Sequence, residues 1–250
     1  SAFRGEPMNK NRIAYMIIPF AVAGIMQLTT YWGNQWYFES TGIVGADLSY
    51  IFLAFNRWVP FIPVTAYIYV LAFPFWILTF FYIGYHSKRN LYFLLLLIVI
   101  TFSICGLWYF FFQTDVQGWR ETSGLFGRSD LNFNEAFVML IYNSSGARNA
   151  NPSMHCLMSW LCLLGARMEK RMPKALKIFV ISFSVAICVS TQTLKQHYII
   201  DFITAVALAE AFYWLLRNSR AITAFENFFS GVNRRLGLDW ETSPQVTPSN

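Results

Sequence analysis

His197 and Asp201 stand four residues apart at the end of Ser-Thr-Gln-Thr-Leu-Lys-Gln-His-Tyr-Ile-Ile-Asp, residues 190–201, with Lys195 two residues before the histidine. Residues four apart share a face of a helix. Asp201 can therefore hydrogen-bond one ring nitrogen of His197, fix its tautomer, and leave the other nitrogen free to attack or to move a proton. A second histidine follows Asn151-Pro152-Ser153-Met154. Asparagine before proline marks a helix start, with Asn151 as N-cap and Pro152 at the first helical position, so His155 is expected in the first turn of that helix. These two stretches use two of the three histidines in the chain; the third, His86, lies beside Lys88 and Arg89.

The elements that must position these groups are set by composition. Of 250 residues, 56% are hydrophobic and 13% charged, and the mean hydropathy is +0.40. That points to an all-α, polytopic membrane protein and not to a water-soluble core. The net charge of +6 then reports orientation and contact with anionic headgroups, and nucleic acid is excluded as a partner. Cys105, Cys156, Cys162 and Cys188 all fall in apolar stretches without pairing or metal-ligand spacing, which assigns them to packing.

Six spanning helices are expected, joined by short interfacial helices. Residues 1–7 precede Met8 and read as a remnant of expression; residues 8–218 form the six-helix domain, and residues 219–250 a cytoplasmic amphipathic helix and a disordered tail. The spans fall at about 13–32, within 58–85 with Pro74 as a kink, at 91–113, from Asn151 to the basic stretch 167–174, at 175–194 and at 198–216. Asp47 is placed to cap a short surface helix ending near Phe55. Between the third and fourth spans, the loop 114–151 carries Arg120, Arg128 and Arg148, and within it residues 131–142 have helical periodicity but are too short to span. After the sixth span, Ile222, Phe225, Phe229 and Leu236 recur at helical spacing, which fits either a helix on the membrane surface or one packed beneath the bundle.

With six alternating spans, 14 of the 19 lysines and arginines fall on one side, which makes both termini cytoplasmic. Both histidine stretches and the long arginine-bearing loop then share the opposite face.

Pro152-Ser153-Met154-His155 resembles the Pro-Ser-Gly-His motif of the type 2 phosphatidic acid phosphatase superfamily, and Ser190 through His197 to Asp201 resembles its Ser-Arg-x5-His-x3-Asp motif with the spacing intact. Met154 stands where the motif has glycine, Thr191 where it has arginine, and no Lys-x6-Arg-Pro stretch is present. The His-Tyr-x-x-Asp form is more similar to the branch that contains inositol phosphorylceramide and sphingomyelin synthases. The resemblance implies a lipid phosphatase or headgroup phosphotransferase working through a phosphohistidine. His197 is then the nucleophile, Asp201 its orienter and His155 the acid and base. Arg120, Arg148 and Lys195 would neutralise phosphate, with Ser153 and Ser190 as lesser donors, and Lys195 would stand in for the missing motif arginine.

Two histidines and an aspartate suffice for phosphoryl transfer without a metal, so no cofactor and no metal are expected. The partners are membrane lipids, and the location implied is a bacterial plasma membrane with the site facing outward. Two other classes remain: a transporter using intramembrane Asp201, Glu210 and the histidines, and an inactive relative serving as a scaffold. Glu210 has no evident partner in the sequence and stays outside the site.

Overall fold

The computed structural model describes residues 13–238; the expectations for residues 1–7 and for the tail from 243 fall outside that range. The described residues are mostly helical, in keeping with an all-α class, apart from a two-residue parallel pairing of β1 (Ala46–Asp47) with β2 (Thr114–Asp115) and an isolated bridge from Asp115 to Arg148 that the sequence does not announce. Among the described residues, four helices are long and apolar enough to cross a membrane. These are α4 (Ala66–His86, with a 3-10 turn at Pro63–Thr65 before it), α5 (Lys88–Phe111), α9 (Lys174–Thr193) and α10 (Ile199–Leu216). α5 is the centre of the bundle: 67% of its most apolar 18 residues are buried, against 17% for α10.

The other two expected spans take a different form. The first is helical, but as α1 (Ile17–Gln27), a π turn (Leu28–Gly33) and α2 (Asn34–Thr41), so the helix continues well past Trp32. Thr29 and Thr30 donate their hydroxyls to Ile25 O and Met26 O at 2.8 and 2.6 Å. Such back-bonding competes with the regular ladder where the helix widens. The fourth is α8 (Met154–Met168), 15 residues and too short for the same criterion. Its start also differs from expectation. Ser153 is the N-cap, accepting from Cys156 N at 3.3 Å, because the Asn151 amide is drawn sideways to Asp201 and Thr204.

Shorter helices fill the ends: α3 (Leu53–Trp58), α6 (Gln117–Glu121), α7 (Phe133–Ser145) and α11 (Arg220–Arg235). Asp47 does not cap a helix. Its carboxylate accepts from Ser49 N and Ser49 Oγ, both at 2.8 Å, in a local turn. α7 is fixed by a reciprocal capping box between Asn132 and Glu135. α11 packs beneath the bundle, with Phe229 stacked on Tyr92 at 5.8 Å and Asn233 Nδ2 donating to Tyr15 O at 3.0 Å.

Helix ends meet in two layers. In one, Tyr109 near the end of α5 donates to Pro152 O, Ser153 N donates to Asp201 O at 3.0 Å, and Ile62 N donates to Thr193 O at 3.0 Å. In the other, Asn90 Nδ2 donates to Glu169 at 3.0 Å and Arg171 to His86 O at 2.9 Å. Glu210 also has partners the sequence did not suggest. It binds Arg167 at 2.8 Å and the Trp160 indole N–H at 3.0 Å, both on α8, which spacing along one helix cannot reveal, and one turn along its own helix it accepts from the Trp214 indole N–H at 2.9 Å.

Candidate active site

His197 lies in the five-residue turn between α9 and α10, which closes because Lys195 adopts a left-handed backbone with φ of 55°. Gln196 N and His197 N both donate to Thr191 O, at 3.0 and 3.2 Å, so the residue in place of the motif arginine anchors the turn through its backbone. His197 is 6% exposed, and its Nδ1 lies 2.9 Å from Ala150 O. A carbonyl oxygen only accepts, so Nδ1 carries the proton and Nε2 the lone pair. No hydrogen bond among the described residues engages Nε2.

Asp201, fully buried, contributes charge more than direct bonding. Its Oδ2 is 3.5 Å from His197 Nδ1, longer than a good hydrogen bond, and accepts from Tyr198 N at 2.8 Å. Its Oδ1 accepts from Asn151 Nδ2 at 3.0 Å. The carboxylate therefore sits at the third residue of α10, satisfied by two donors and adjacent to the ring that would become cationic. The proton on Nδ1 is held by Ala150 O, an acceptor that sequence reasoning missed because main-chain oxygens leave no signature in residue types.

His155 occupies the first turn of α8, as expected. Its ring stacks on Tyr69 at 4.1 Å between centroids, with Trp76 and Phe73 edge-on at 5.1 and 5.5 Å. Its Nε2 is buried and has no hydrogen-bond partner. Two residues before His155, Ser153 N donates to Asp201 O at 3.0 Å, which ties the start of α8 to the stretch that carries His197.

Arg120, on α6, is 3% exposed. It donates to Tyr142 O at 3.2 Å, Ser145 Oγ at 3.1 Å and the Gln196 side-chain oxygen, and its guanidinium lies 4.9 Å from the centre of the Tyr142 ring. Its Nε has no partner, and among the described residues no carboxylate lies within ion-pair distance of it. Burial lowers its pKa from the usual value, yet arginine stays charged. The result is a buried cation without an ion-pair partner among the described residues, tied to the residue next to His197.

The remaining expected phosphate ligands face elsewhere. Lys195 Nζ donates to Val59 O at 2.5 Å and lies 3.8 Å over the Trp119 ring, and burial pushes its pKa down to about 8. Arg148 Nε donates to Ile43 O at 2.9 Å at the edge of the domain. The Ser190 hydroxyl is given to Ile187 O at 2.7 Å within its own helix, and Ser153 Oγ is the α8 cap. His155, His197, Asp201 and Arg120 thus share one layer of helix ends, joined by Asn151, Gln196 and Tyr69. Those three are residues whose roles depend on neighbours distant in sequence, although Gln196 and Asn151 adjoin the recognised stretches.

A family model described as the PAP2 superfamily matches residues 45–215, more than half of the chain. No curated protein and no solved structure matches it.

Proposed function

The chain belongs to the PAP2 superfamily, whose members are generally phosphatases or phosphotransferases, and from that premise we propose that it moves a phosphoryl group from a membrane lipid through a phosphohistidine. The observation that carries this reading is the Nδ1 contact of His197 with Ala150 O. It leaves Nε2 as a lone-pair nucleophile beside a buried carboxylate.

In the first step Nε2 attacks phosphorus, the P–O bond to the lipid breaks, and the departing oxygen takes a proton from His155. The positive charge that develops on the His197 ring is balanced by Asp201, 3.5 Å from Nδ1. Arg120 supplies fixed positive charge in a site largely free of water, where such charge acts most strongly on phosphate oxygens. In the second step His155, now neutral, takes a proton from water or an alcohol, which attacks phosphorus and returns His197 to its lone-pair form. A water acceptor gives hydrolysis; a lipid or alcohol hydroxyl gives the transfer that the His-Tyr-x-x-Asp form favours.

The chain is read as crossing the membrane six times, with both termini cytoplasmic and the site on the outer face of a bacterial plasma membrane. Supporting this, the layer of helix ends with the histidines is separate from the layer that holds His86, Glu169 and Arg171.

Purified protein is to be incubated with lipid phosphates, lipid pyrophosphates and phosphodiester lipids, wild type against His197→Ala. Phosphate release that disappears in the variant is the outcome expected for a phosphatase. A new phospholipid without free phosphate identifies a transferase. Turnover by neither route, or turnover that survives His197→Ala and ignores orthovanadate, rejects the mechanism.

A further inference from the structure

Resting on the phosphoryl-transfer reading, we propose that the cleft between the π turn, α4 and α7 is the lateral port for the lipid substrate and the seat of one of its acyl chains, with the phosphate drawn inward to His155. The cleft has a volume of about 280 Å³. Its two ends differ in chemistry. At the inner end lie His155, with its buried and unpartnered Nε2, and Ser145, whose hydroxyl accepts from Arg120 at 3.1 Å. At the outer end Val70, Phe73 and Leu140 are 37%, 44% and 60% exposed, on helices of a chain built to sit in lipid. A molecule with an anionic head and a hydrocarbon tail matches this polarity end for end.

Three larger spaces do not, and one of them, of about 320 Å³, sets Arg148 beside Asp115 with only Val44 and Ala147 as apolar lining, too little to seat an acyl chain. The one between α4 and α9, of about 440 Å³, and the one between α3, α9 and α10, of about 360 Å³, are lined almost wholly by apolar groups and reach none of the candidate catalytic or phosphate-binding residues. The helix wall of the proposed cleft is also unusual. The π turn brings Tyr31 and Trp32 into its lining, and the Tyr31 carbonyl is taken up by Asn149 Nδ2 at 2.9 Å, which ties the turn to the segment leading into α8. Irregular turns of this kind within helices commonly accompany functional sites.

The test compares Leu140→Trp, which fills the cleft, with Val189→Trp, which fills the groove between α3, α9 and α10. The readout is kcat/KM on phosphatidic acid with two long chains, divided by that on a short-chain soluble analogue. Leu140→Trp is expected to lower this ratio by about 10-fold or more, the scale on which a filled apolar pocket discriminates, while Val189→Trp leaves it within about 3-fold of wild type. A ratio that falls only in Val189→Trp overturns the proposal. If Leu140→Trp does not fold, Val70→Trp takes its place. Independently, phosphatidic acid with a diazirine in its acyl chain is photolysed on His197→Ala protein in liposomes. Adducts on the π turn, α4 or α7 are expected; adducts confined to α9 and α10, or none, overturn the cleft. If wild-type protein turns over no lipid phosphate while adducts still map to the cleft, the phosphoryl-transfer reading fails and the lipid site stands.

Discussion

Arg120 donates in three directions from one planar group, a geometry that an ammonium cannot reproduce. Arg120→Lys should fold and lower kcat/KM by roughly 100-fold, as expected when a preorganised donor to a phosphoryl oxygen is lost; activity within a few fold of wild type would remove Arg120 from the site. Lys195 gives a prediction in pH. Burial pushes its pKa from 10.5 to about 8, so between those values the unfolded chain holds a proton that the folded chain has released, and stability rises with pH across that window. Against Lys195→Met, which has no charge there, the difference in Tm should move in favour of the wild type between pH 7 and pH 10. No such movement would mean that Lys195 keeps its proton over Trp119. At this scale the sequence made the histidines and Asp201 visible, because titratable groups are rare in apolar helices. It hid Ala150 O and the destination of each lysine and arginine, since a long flexible side chain chooses its partner only after the fold exists.

Helices approach one another where side chains allow it, and Gly106 on α5 is such a place. A Cβ there would stand 2.8 Å from Thr30 Cβ in the π turn, and the Gly106 carbonyl accepts from Asn34 Nδ2 at 3.0 Å. Gly106→Val should cost about 1–3 kcal/mol through overpacking, read as a lower Tm in detergent, and should loosen the wall of the His155 cleft. α7 offers a gentler change. Asn132→Ala removes one half of its capping box, worth about 1 kcal/mol, and amide exchange should quicken in the first turn of α7 while α5 stays protected. Uniform exchange rates in the two proteins would show that tertiary contacts hold α7 without its cap. The four longest apolar helices were legible because length and hydropathy suffice for them. The start of α8 was misplaced by two residues, because the preference of Pro152 for a first helical position yielded to the hydrogen bonds of Asn151 with Asp201 and Thr204.

Across the whole molecule, the arrangement of basic residues and the layering of helix ends make the same demand on labelling. The four native cysteines are buried and free, so a maleimide that does not cross membranes should give little background. Ser129→Cys, in the exposed loop before α7, should label in intact cells, and Asn218→Cys, between α10 and α11, only after permeabilisation; the reverse pattern would invert the chain. Charge yields an expectation for side, which this labelling tests; it carries no signal for the depth of the site, because depth depends on where α8 begins. That helix has 15 residues, about 22 Å at 1.5 Å each, against a hydrocarbon thickness of roughly 30 Å. If α8 is the fourth span, as proposed, a headgroup that reaches His155 at its first turn leaves the headgroup plane and carries its negative charge part of the way through the membrane's electric field. Moving a charge through that field takes work on the order of 2.3 kcal/mol per elementary charge for a full crossing at 100 mV. The rate of this protein in sealed liposomes should then respond to an imposed voltage, as that of a water-soluble phosphatase does not.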